Sequence, residues 1–433
     1  MVLQNQTDTS IDSRESTDSR EPRDKRQRPP SVCIHVLIPA QTAGRLKRFA
    51  PTLAHAGYRV TVIDVDHGDS RVEVLEQAGV KVRHISLPRW TQSYYKSFAK
   101  IPWLLFKVTR ILLGILAVIR TPADIYHADD ITALPACYLA ARLRRKPLVY
   151  ESHELPLVDQ RTTRQPIIHA VSVWLLRRML PYCSSIIIVS PPLVEEMQRR
   201  YGGPRADVIR SVPKYQVAPT SDRLRQTLGL SATTRIALYQ GYVQPNRGLD
   251  LLARAAKYLA PDNVIVVMGD GPSKTALQQL VAQEGVGDRI KLLPLVPYAE
   301  LLSWTASADI GLNVLPPDYS PSIYYCLPNK LFEYLMAGLP VLTSRLPAVA
   351  EVIRQYDVGQ VVDSLDPVTV AEAINALLAD TEARARMRAN ALAAARDSLN
   401  WEIESQRLVQ LYARIGAVGR RSEKAFDRSI ETT

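Results

Sequence analysis

Residues 326–342, CLPNKLFEYLMAGLPVL, form a unit in which a loop leads into a helix pattern and then into an apolar strand. The helix pattern ends at Gly338, and Pro340 precedes the strand. The first turn of a helix presents unpaired N–H groups and a positive dipole end, both of which favour a diphosphate. Lys330 adds positive charge to that turn, and Glu333 on the same face can accept hydrogen bonds from a pair of ribose hydroxyls. The alternative is an ordinary helix whose lysine and glutamate are solvated.

The same alternation of short β-branched runs with helical patterns extends along most of the chain. It predicts an α/β protein whose parallel sheets are covered by helices on both faces. At 433 residues, the chain is long enough for two Rossmann-like, doubly wound domains that face each other across a cleft. The predicted segments are a disordered tail (1–30), a first, acceptor-side domain (31–213), a linker (214–234), a second, donor-binding domain (235–398), a terminal helix expected to pack back on the first domain (399–418) and a flexible tail (419–433).

Residues 1–30 have few apolar side chains and carry charges of both signs, which is typical of a disordered segment. No apolar run follows a basic start there, so we expect no secretory signal and a cytoplasmic protein. The cysteines lie far apart in apolar stretches without metal-ligand spacing, which favours buried free thiols over disulfides. They are Cys33, Cys137, Cys183 and Cys326.

The net charge of +11 is concentrated in the first domain. Residues 31–213 carry 25 basic and 14 acidic side chains, whereas residues 214–433 carry 23 of each. No acidic residue occurs in the stretch 87–122, which contains a series of basic residues: Arg89, Lys96, Lys100, Lys107, Arg110 and Arg120. Such a patch predicts an anionic partner. A membrane surface is favoured over nucleic acid, because the sequence contains no recognised nucleic-acid-binding module.

Residues 100–120, KIPWLLFKVTRILLGILAVIR, approach the length and apolar density of a membrane-spanning helix, but basic residues interrupt the run. One interpretation is an amphipathic helix at a membrane interface, with Trp103, Leu105 and Phe106 among the acyl chains. The other is a helix buried in an α/β domain, and the pattern favours neither.

Two glycine turns in the second domain follow predicted strands. The first, in YQGYVQPNRGLDLLARA (239–255), contains Gly241 and the basic residue Arg247, and its glycine lets the backbone approach a phosphate. The second, in VVMGDGPSKTALQQL (266–280), lies at the carboxyl edge of the sheet, where such folds bind ligands. Its central residues are Gly269, Asp270 and Gly271. A bare turn without a ligand is an equally good interpretation of the second motif.

At these residues the sequence resembles the family-4 glycosyltransferases, which have the GT-B fold and use nucleotide sugars. PNKLFEYLMAGLPVL is similar to the family's donor-binding helix, and LLPLVPYAEL to the segment that lines its base pocket. The resemblance implies donor contacts from Gly241, Arg247, Gly269, Asp270, Gly271, Leu295, Asn329, Lys330 and Glu333. Two positions differ from the family. Tyr325 stands where a glutamate often contacts the donor sugar, and Tyr242 or Gln244 stands where an arginine is common.

In the first domain, the strand in KPLVYESHELPL ends beside His153, which Glu151 and Glu154 flank. A lone histidine is usually structural, but neighbouring carboxylates at a strand end also suit a functional one. The family has a similar strand that ends in a histidine near the transferred sugar, so the resemblance implies catalytic roles for His153 and Glu333. The loop PAQTAGRLKRF lacks the family's glycine-rich acceptor pattern, so no acceptor contact is carried over.

The resemblance implies a retaining, hexosyltransferase-like enzyme that moves a sugar from a nucleotide sugar to a glycan or lipid-linked acceptor in cell-envelope or polysaccharide biosynthesis. Lys330 and Arg247 would neutralise the leaving diphosphate, so we expect no metal and no other cofactor. We expect a peripheral enzyme at the inner face of the plasma membrane, with anionic lipid as a partner. Two alternatives are a nucleotide-sugar 2-epimerase of the same fold and a non-catalytic, membrane-bound partner that retains the fold.

Overall fold

The computed structural model of the chain describes residues 28–66, 72–86, 100–156 and 166–431. The tail predicted at 1–30 lies outside the described residues except for its last three. The described part contains two parallel sheets, each flanked by helices, which confirms the predicted pair of Rossmann-like α/β domains.

The strands of the first domain are β1 (Ser31–Val36), β2 (Arg59–Asp66), β3 (Lys81–Ser86), β4 (Ile125–Asp129), β5 (Leu148–Ser152), β6 (Ser185–Ile188) and β7 (Asp207–Val208). Within the described ranges they form one parallel sheet in the order β3-β2-β1-β4-β5-β6-β7. The strand order reverses beside β1, where Cys33 pairs with Thr61 of β2 and with Tyr126 of β4. Every residue of β4 and β5 is buried, as expected of a parallel sheet covered on both faces.

Helices cover both faces of this sheet: α1 (Leu46–His55), α2 (Glu73–Gln77), α3 (Lys100–Ile119), α4 (Leu134–Arg144), α5 (Pro166–Met179) and α6 (Pro191–Tyr201). The helices α3, α4 and α5 share one apolar cluster, which contains Val118, Cys137 and Leu176. The helices α1 and α2 contribute Phe49 and Leu75 to a different cluster. The right-handed crossovers between parallel strands place these two groups of helices on opposite faces.

The strands of the second domain are β8 (Arg235–Gln240), β9 (Asn263–Met268), β10 (Ile290–Leu293), β11 (Ile310–Asn313), β12 (Val341–Ser344) and β13 (Gly359–Val362). Within the described residues they form a parallel sheet in the order β10-β9-β8-β11-β12-β13. The strand β13 was not predicted, because it is short, begins with glycine and lacks a clear apolar pattern. Gly359 is needed there, since a Cβ would lie 2.0 Å from the carbonyl oxygen of Val341 in β12.

The remaining helices are α7 (Arg223–Leu228), α8 (Leu249–Ala255), α9 (Lys274–Gln283), α10 (Leu301–Thr305), α11 (Pro321–Tyr324), α12 (Asn329–Met336), α13 (Pro347–Tyr356), α14 (Pro367–Ala379), α15 (Thr381–Asp397) and α16 (Trp401–Glu431). The helix α7 lies inside the predicted linker 214–234. The terminal helix α16 begins two residues after the predicted start at 399 and continues to Glu431. It therefore runs through most of 419–433, where a flexible tail was predicted, because residues with high helix propensity continue beyond 418.

The terminal helix packs on the first domain rather than on the second. The Trp401 indole N–H donates to the Thr52 hydroxyl of α1 at 3.1 Å. The buried Glu404 carboxylate accepts a hydrogen bond from the Arg210 backbone N–H at 3.0 Å. Tyr412 belongs to the same apolar cluster as Phe49 of α1. The chain therefore returns to the first domain before it ends.

The helix α3 has one side buried against the sheet, as one of the two interpretations of residues 100–120 predicted, and the other side exposed to solvent. The membrane-interface interpretation stays a prediction. Gly114 and Val118 are buried against the sheet, whereas Leu112 and Leu116 are exposed. The side chains of Trp103, Leu105 and Phe106 lie outside the described part. No helix in the described ranges is both long and apolar enough to cross a membrane.

The cysteines are free thiols, as predicted, and all of them lie in described segments. Cys33, Cys137 and Cys183 are buried, whereas Cys326 is partly exposed. Burial raises the pKa of the Cys33 and Cys183 thiols to about 12.

Candidate active site

Tyr334 holds helix α12 against β8 and β11, the two central strands of the second sheet. Its buried hydroxyl donates to the carbonyl of Leu238 and accepts from the N–H of Gln240, both at 3.0 Å. Gly311 makes room for the ring, since a Cβ there would lie 2.5 Å from the ring. These contacts place the first turn of α12 at the carboxyl end of β8, where the predicted donor-binding residues converge.

Lys330, in that first turn, carries a buried amino group. Its Nζ lies 3.7 Å above the centroid of the Tyr239 ring and has no hydrogen-bond partner among the described residues. Burial and the neighbouring Arg247 lower the pKa of Lys330 to about 7, although Cys326 and Glu333 oppose this shift. A buried, unpartnered amino group beside a helix start is suited to an anionic ligand.

Arg247 lies in the turn after β8, within the short 3₁₀ helix Pro245–Arg247. The Gln244 amide oxygen, when turned towards it, accepts from the guanidinium at 3.1 Å (Nε) and 2.9 Å (Nη2). Gly248 follows in the left-handed conformation with φ of 72°, and a Cβ there would lie 2.2 Å from the Val314 carbonyl oxygen. Gln244 therefore orients the guanidinium of Arg247.

The Glu333 carboxylate is held by a chain of hydrogen bonds from the sheet. Gln240 Nε2 donates to Glu333 Oε2 at 2.6 Å, and the Thr305 hydroxyl donates to Gln240 Oε1 at 2.7 Å. Burial raises the pKa of Glu333, although the bond from Gln240 and the charges of Lys330 and Arg48 oppose the shift. Gln240 occupies only one of the carboxylate oxygens, so the other can still accept a hydrogen bond.

The two glycine turns pack directly against each other. A Cβ at Gly269 would lie 1.9 Å from the carbonyl oxygen of Gly241, and one at Gly271 would lie 2.3 Å from that of Val243. Gly241 has a φ of 128°, which side-chain-bearing residues rarely adopt. The turns bring backbone groups to the carboxyl edge of the sheet, beside α12.

Three other predicted donor residues are exposed, and none has its side chain held in the site. Asp270 accepts from the N–H of Gly271 at 2.8 Å and lies 3.3 Å from Lys274 Nζ, so its carboxylate stabilises its own turn. Leu295 is 67% exposed, and Asn329 at the start of α12 is also exposed. Their roles in donor binding stay predictions.

His153 follows β5 at the carboxyl edge of the first sheet. Its Nε2 lies 2.5 Å from Oδ1 of Asp129, at the end of the adjacent strand β4. Burial alone would lower the pKa of His153, but the bond to Asp129 and the charges of Glu151 and Asp129 raise it to about 9. The imidazole is therefore a cation at neutral pH, and its side chain is 38% exposed.

Glu151, which precedes His153 in sequence, belongs to a buried ion pair. It pairs with Arg45 and with Nε2 of His127, the latter at 3.1 Å. Burial would raise the pKa of Glu151, but Arg45 and His127 hold it well below its usual range. The Tyr412 hydroxyl lies 2.6 Å from Nδ1 of His127 and extends this network into the terminal helix. Asp129, not Glu151, is the carboxylate hydrogen-bonded to His153.

Charged residues of the first domain face the donor-binding residues of the second. Arg48 of α1 interacts electrostatically with Glu333, and Glu154 interacts with Cys326. Burial raises the pKa of Cys326 to about 12, against the opposing charges of Arg247 and Lys330. The two halves of the predicted site therefore face each other across one cleft.

Tyr325 stands at the position of the family's donor-sugar glutamate and also joins the two domains. Its carbonyl accepts a hydrogen bond from the Ser190 hydroxyl at 2.9 Å. Its ring packs edge-on against Tyr324, with 5.0 Å between the centroids. Burial raises the pKa of Tyr325, as does the charge of Glu196 in α6. The phenol therefore faces the first domain and brings no negative charge to the donor side.

Sequence reasoning missed the positioning residues of the site. Arg45 and Arg48 lie in the stretch PAQTAGRLKRF, which was compared with the family only by its glycines. Gln240 precedes the glycine turn and could have been found as a polar residue at the end of an apolar strand. Tyr412 gives no local signal, because its partner is 285 positions away in the sequence.

Among the residues that the structure describes, no three His, Cys, Asp or Glu side chains are grouped as metal ligands would be. The basic side chains at the donor side of the cleft are those of Lys330 and Arg247.

Two family models match this chain, one in each domain. The model described as Glycosyltransferase Family 4 matches residues 45–213, and the model described as Glycosyl transferases group 1 matches residues 220–393.

Characterised proteins with similar sequences are glycosyltransferases. The D-inositol 3-phosphate glycosyltransferase of Xylanimonas cellulosilytica is 26% identical over 67% of this chain and 72% of that protein. The alpha-D-kanosaminyltransferase of Streptomyces kanamyceticus is 26% identical over 64% of this chain and 73% of that protein.

Solved structures with a similar fold have two domains of the GT-B type. HepE of Anabaena, in complex with UDP and glucose, superposes with a TM-score of 0.67 at 18% identity, over 89% of this chain and 100% of that chain. Sucrose-phosphate synthase of Thermosynechococcus elongatus gives a TM-score of 0.69 at 17% identity, over 90% and 100%. At these identities the likeness shows the fold.

Proposed function

Because this chain belongs to the glycosyltransferases of family 4, we propose that it transfers a hexose-like sugar from a nucleotide sugar to a glycan or lipid-linked acceptor. The observation that carries the proposal is the buried, unpartnered Nζ of Lys330 at the start of α12. An anionic ligand would give this amino group a hydrogen-bond partner and keep it charged. The nucleoside diphosphate of a donor has that charge.

Lys330, Arg247 and the free N–H groups of α12 are proposed to bind the diphosphate. Their positive charge stabilises the diphosphate most strongly when the bond to the sugar breaks, since negative charge then builds on this leaving group. This arrangement would perform the task of a metal ion, so transfer is proposed to need none. Glu333, oriented by Gln240, would accept hydrogen bonds from the ribose.

The first domain is proposed to act on the sugar and acceptor. His153, held as a cation by Asp129, would lie beside the transferred sugar when the cleft closes and excludes water. No side chain is required as a covalent nucleophile, and retention of anomeric configuration is what the family resemblance implies. Because the acceptor loop departs from the family pattern, the acceptor is proposed only as a glycan or a lipid-linked molecule.

The names and bound ligands of similar proteins are consistent with sugar transfer by those proteins. HepE of Anabaena was solved in complex with UDP-glucose, and the relative from Xylanimonas cellulosilytica is named a D-inositol 3-phosphate glycosyltransferase. For this chain we propose a role in cell-envelope or polysaccharide biosynthesis at the inner face of the plasma membrane. Anionic lipid would be its partner there.

The test is release of nucleoside diphosphate from UDP-, GDP-, ADP- and dTDP-sugars, with and without membrane lipid extract. Acceptor-dependent release by the wild type, lost in Glu333→Ala, is the expected result. Glu351→Ala, at an exposed glutamate of α13, is the matched control and should retain activity. Donor isomerisation without release would indicate the 2-epimerase, and donor binding without any turnover would indicate a non-catalytic partner.

A further inference from the structure

The outer side of helices α3, α4 and α5 is an apolar surface, which we call the three-helix face. Large apolar side chains on all three helices remain accessible to solvent. Leu112 is 59% exposed, Leu143 69%, Ile167 79% and Trp174 61%. Other exposed members are Val108, Leu116, Leu139, Val171 and Leu175.

These side chains follow the helical repeat, so they form stripes. On α3, Val108, Leu112 and Leu116 recur every four residues, and on α5, Ile167, Val171 and Trp174 are spaced by four and three. The opposite sides of the same helices are buried against the sheet. The fold therefore does not need the outer stripes for its own core, and contiguous apolar surface of this kind marks an interaction site.

The charges on these helices are all of one sign. The sequences of α3, α4 and α5 contain no aspartate or glutamate. Two stripes continue into an exposed arginine, Arg120 after α3 and Arg178 in α5. On α4, the guanidinium of Arg142 lies 4.4 Å from the ring centroid of Tyr182. Since all three helices run antiparallel to the strands, these arginines lie at one edge of the face, away from the cleft.

We propose that the three-helix face binds the surface of an anionic lipid bilayer. The apolar stripes would enter the boundary between headgroups and acyl chains, and the arginines would lie at the level of lipid phosphates. A second copy of the chain is a poorer occupant. A symmetric contact places the same patch on both subunits, and since the three helices contain no acidic residue, it would offer the arginines no opposite charge.

This inference deepens the proposed function and rests on it, because binding to a bilayer brings the enzyme to its acceptor only if the acceptor is linked to lipid. The amino ends of the three helices lie at the edge of the sheet that carries His153. A chain bound by this face would hold its cleft beside the bilayer. The earlier prediction from residues 100–120 is thereby extended to α4 and α5, whose exposed apolar residues were not recognised in the sequence.

The experiment is co-sedimentation of the full chain with vesicles of phosphatidylcholine, with and without phosphatidylglycerol. The wild type should bind the anionic vesicles. The double variant Leu112→Glu, Trp174→Glu should bind them at least about tenfold more weakly. Arg120→Gln and Arg178→Gln should each weaken it about fivefold. Val74→Glu, at a 52% exposed valine on α2 of the same domain, is the control and should bind like the wild type.

Thermal unfolding and donor binding of each variant check that the fold is intact. Equal binding of the wild type to neutral and anionic vesicles, or binding unchanged in the Leu112→Glu, Trp174→Glu variant, would overturn the proposal. Concentration-dependent dimerisation that the same variant abolishes would instead assign the face to a second copy. Vesicle binding without sugar transfer would leave this proposal standing and reject the proposed function, whereas transfer without vesicle binding would do the reverse.

Discussion

The Tyr412 hydroxyl in the terminal helix lies 2.6 Å from Nδ1 of His127, deep in the first domain. The other ring nitrogen of His127 faces the Glu151 carboxylate at 3.1 Å. An ionised carboxylate can only accept, so Nε2 of His127 carries a proton and donates to Glu151, and Nδ1 is the ring nitrogen that pairs with the Tyr412 hydroxyl. The last helix therefore completes a buried network that lies beside His153.

Tyr412→Phe should destabilise the protein by leaving Nδ1 of His127 buried without its hydrogen-bond partner. We expect the free energy of unfolding to fall by about 1–3 kcal/mol, as measured by urea denaturation. Tyr258→Phe, at a 51% exposed tyrosine, should have little effect. A Tyr412→Phe protein as stable as the wild type would show that the hydroxyl does not hold the network.

Stability should depend on pH through His153, whose pKa rises from 6.5 to about 9 in the folded protein. A raised pKa means that the folded state binds the proton more tightly than the unfolded chain does. The stabilisation is therefore complete below pH 6.5 and is lost as the pH rises through about 9. Asp129→Asn should show a smaller fall in unfolding free energy over this window. His55→Gln, at an exposed histidine, should retain the wild-type slope.

Binding of a donor diphosphate should be accompanied by proton uptake at Lys330. Because the pKa of Lys330 is lowered to about 7, the amino group is mostly neutral at about pH 8.5, and a bound dianion would restore its charge. Calorimetry of the bound nucleotide sugar in buffers of different ionisation enthalpy should show uptake of about one proton. Lys330→Met should show none. Equal uptake by both proteins would place the titrating group elsewhere.

Gly269→Ala should disrupt the paired glycine turns, since its Cβ would lie 1.9 Å from the carbonyl oxygen of Gly241. We expect a loss of about 1–3 kcal/mol in unfolding free energy, together with weaker donor binding. Gly287→Ala is the matched control, because a Cβ there meets nothing within 4 Å. Similar effects of the two substitutions would contradict the close packing of the turns.

The sequence by itself determined the two α/β domains and where the predicted donor-binding residues lie in the second one. Strand alternation, glycine turns and the start of α12 are local patterns, and local patterns suffice when neighbouring segments of a parallel sheet meet at one edge. Lys330 and Arg247 were found in this way, as was the position of His153 at a strand end.

Only the tertiary structure decided which groups these residues contact. Asp129 reaches His153 because β4 and β5 are adjacent in the sheet, and Arg48 faces Glu333 because the domains meet across the cleft. Tyr412 enters the first domain because α16 crosses back over it. The apolar stripes of α3, α4 and α5 could not be told from core in the sequence, since hydrophobicity alone does not show which side of a helix a sheet will cover.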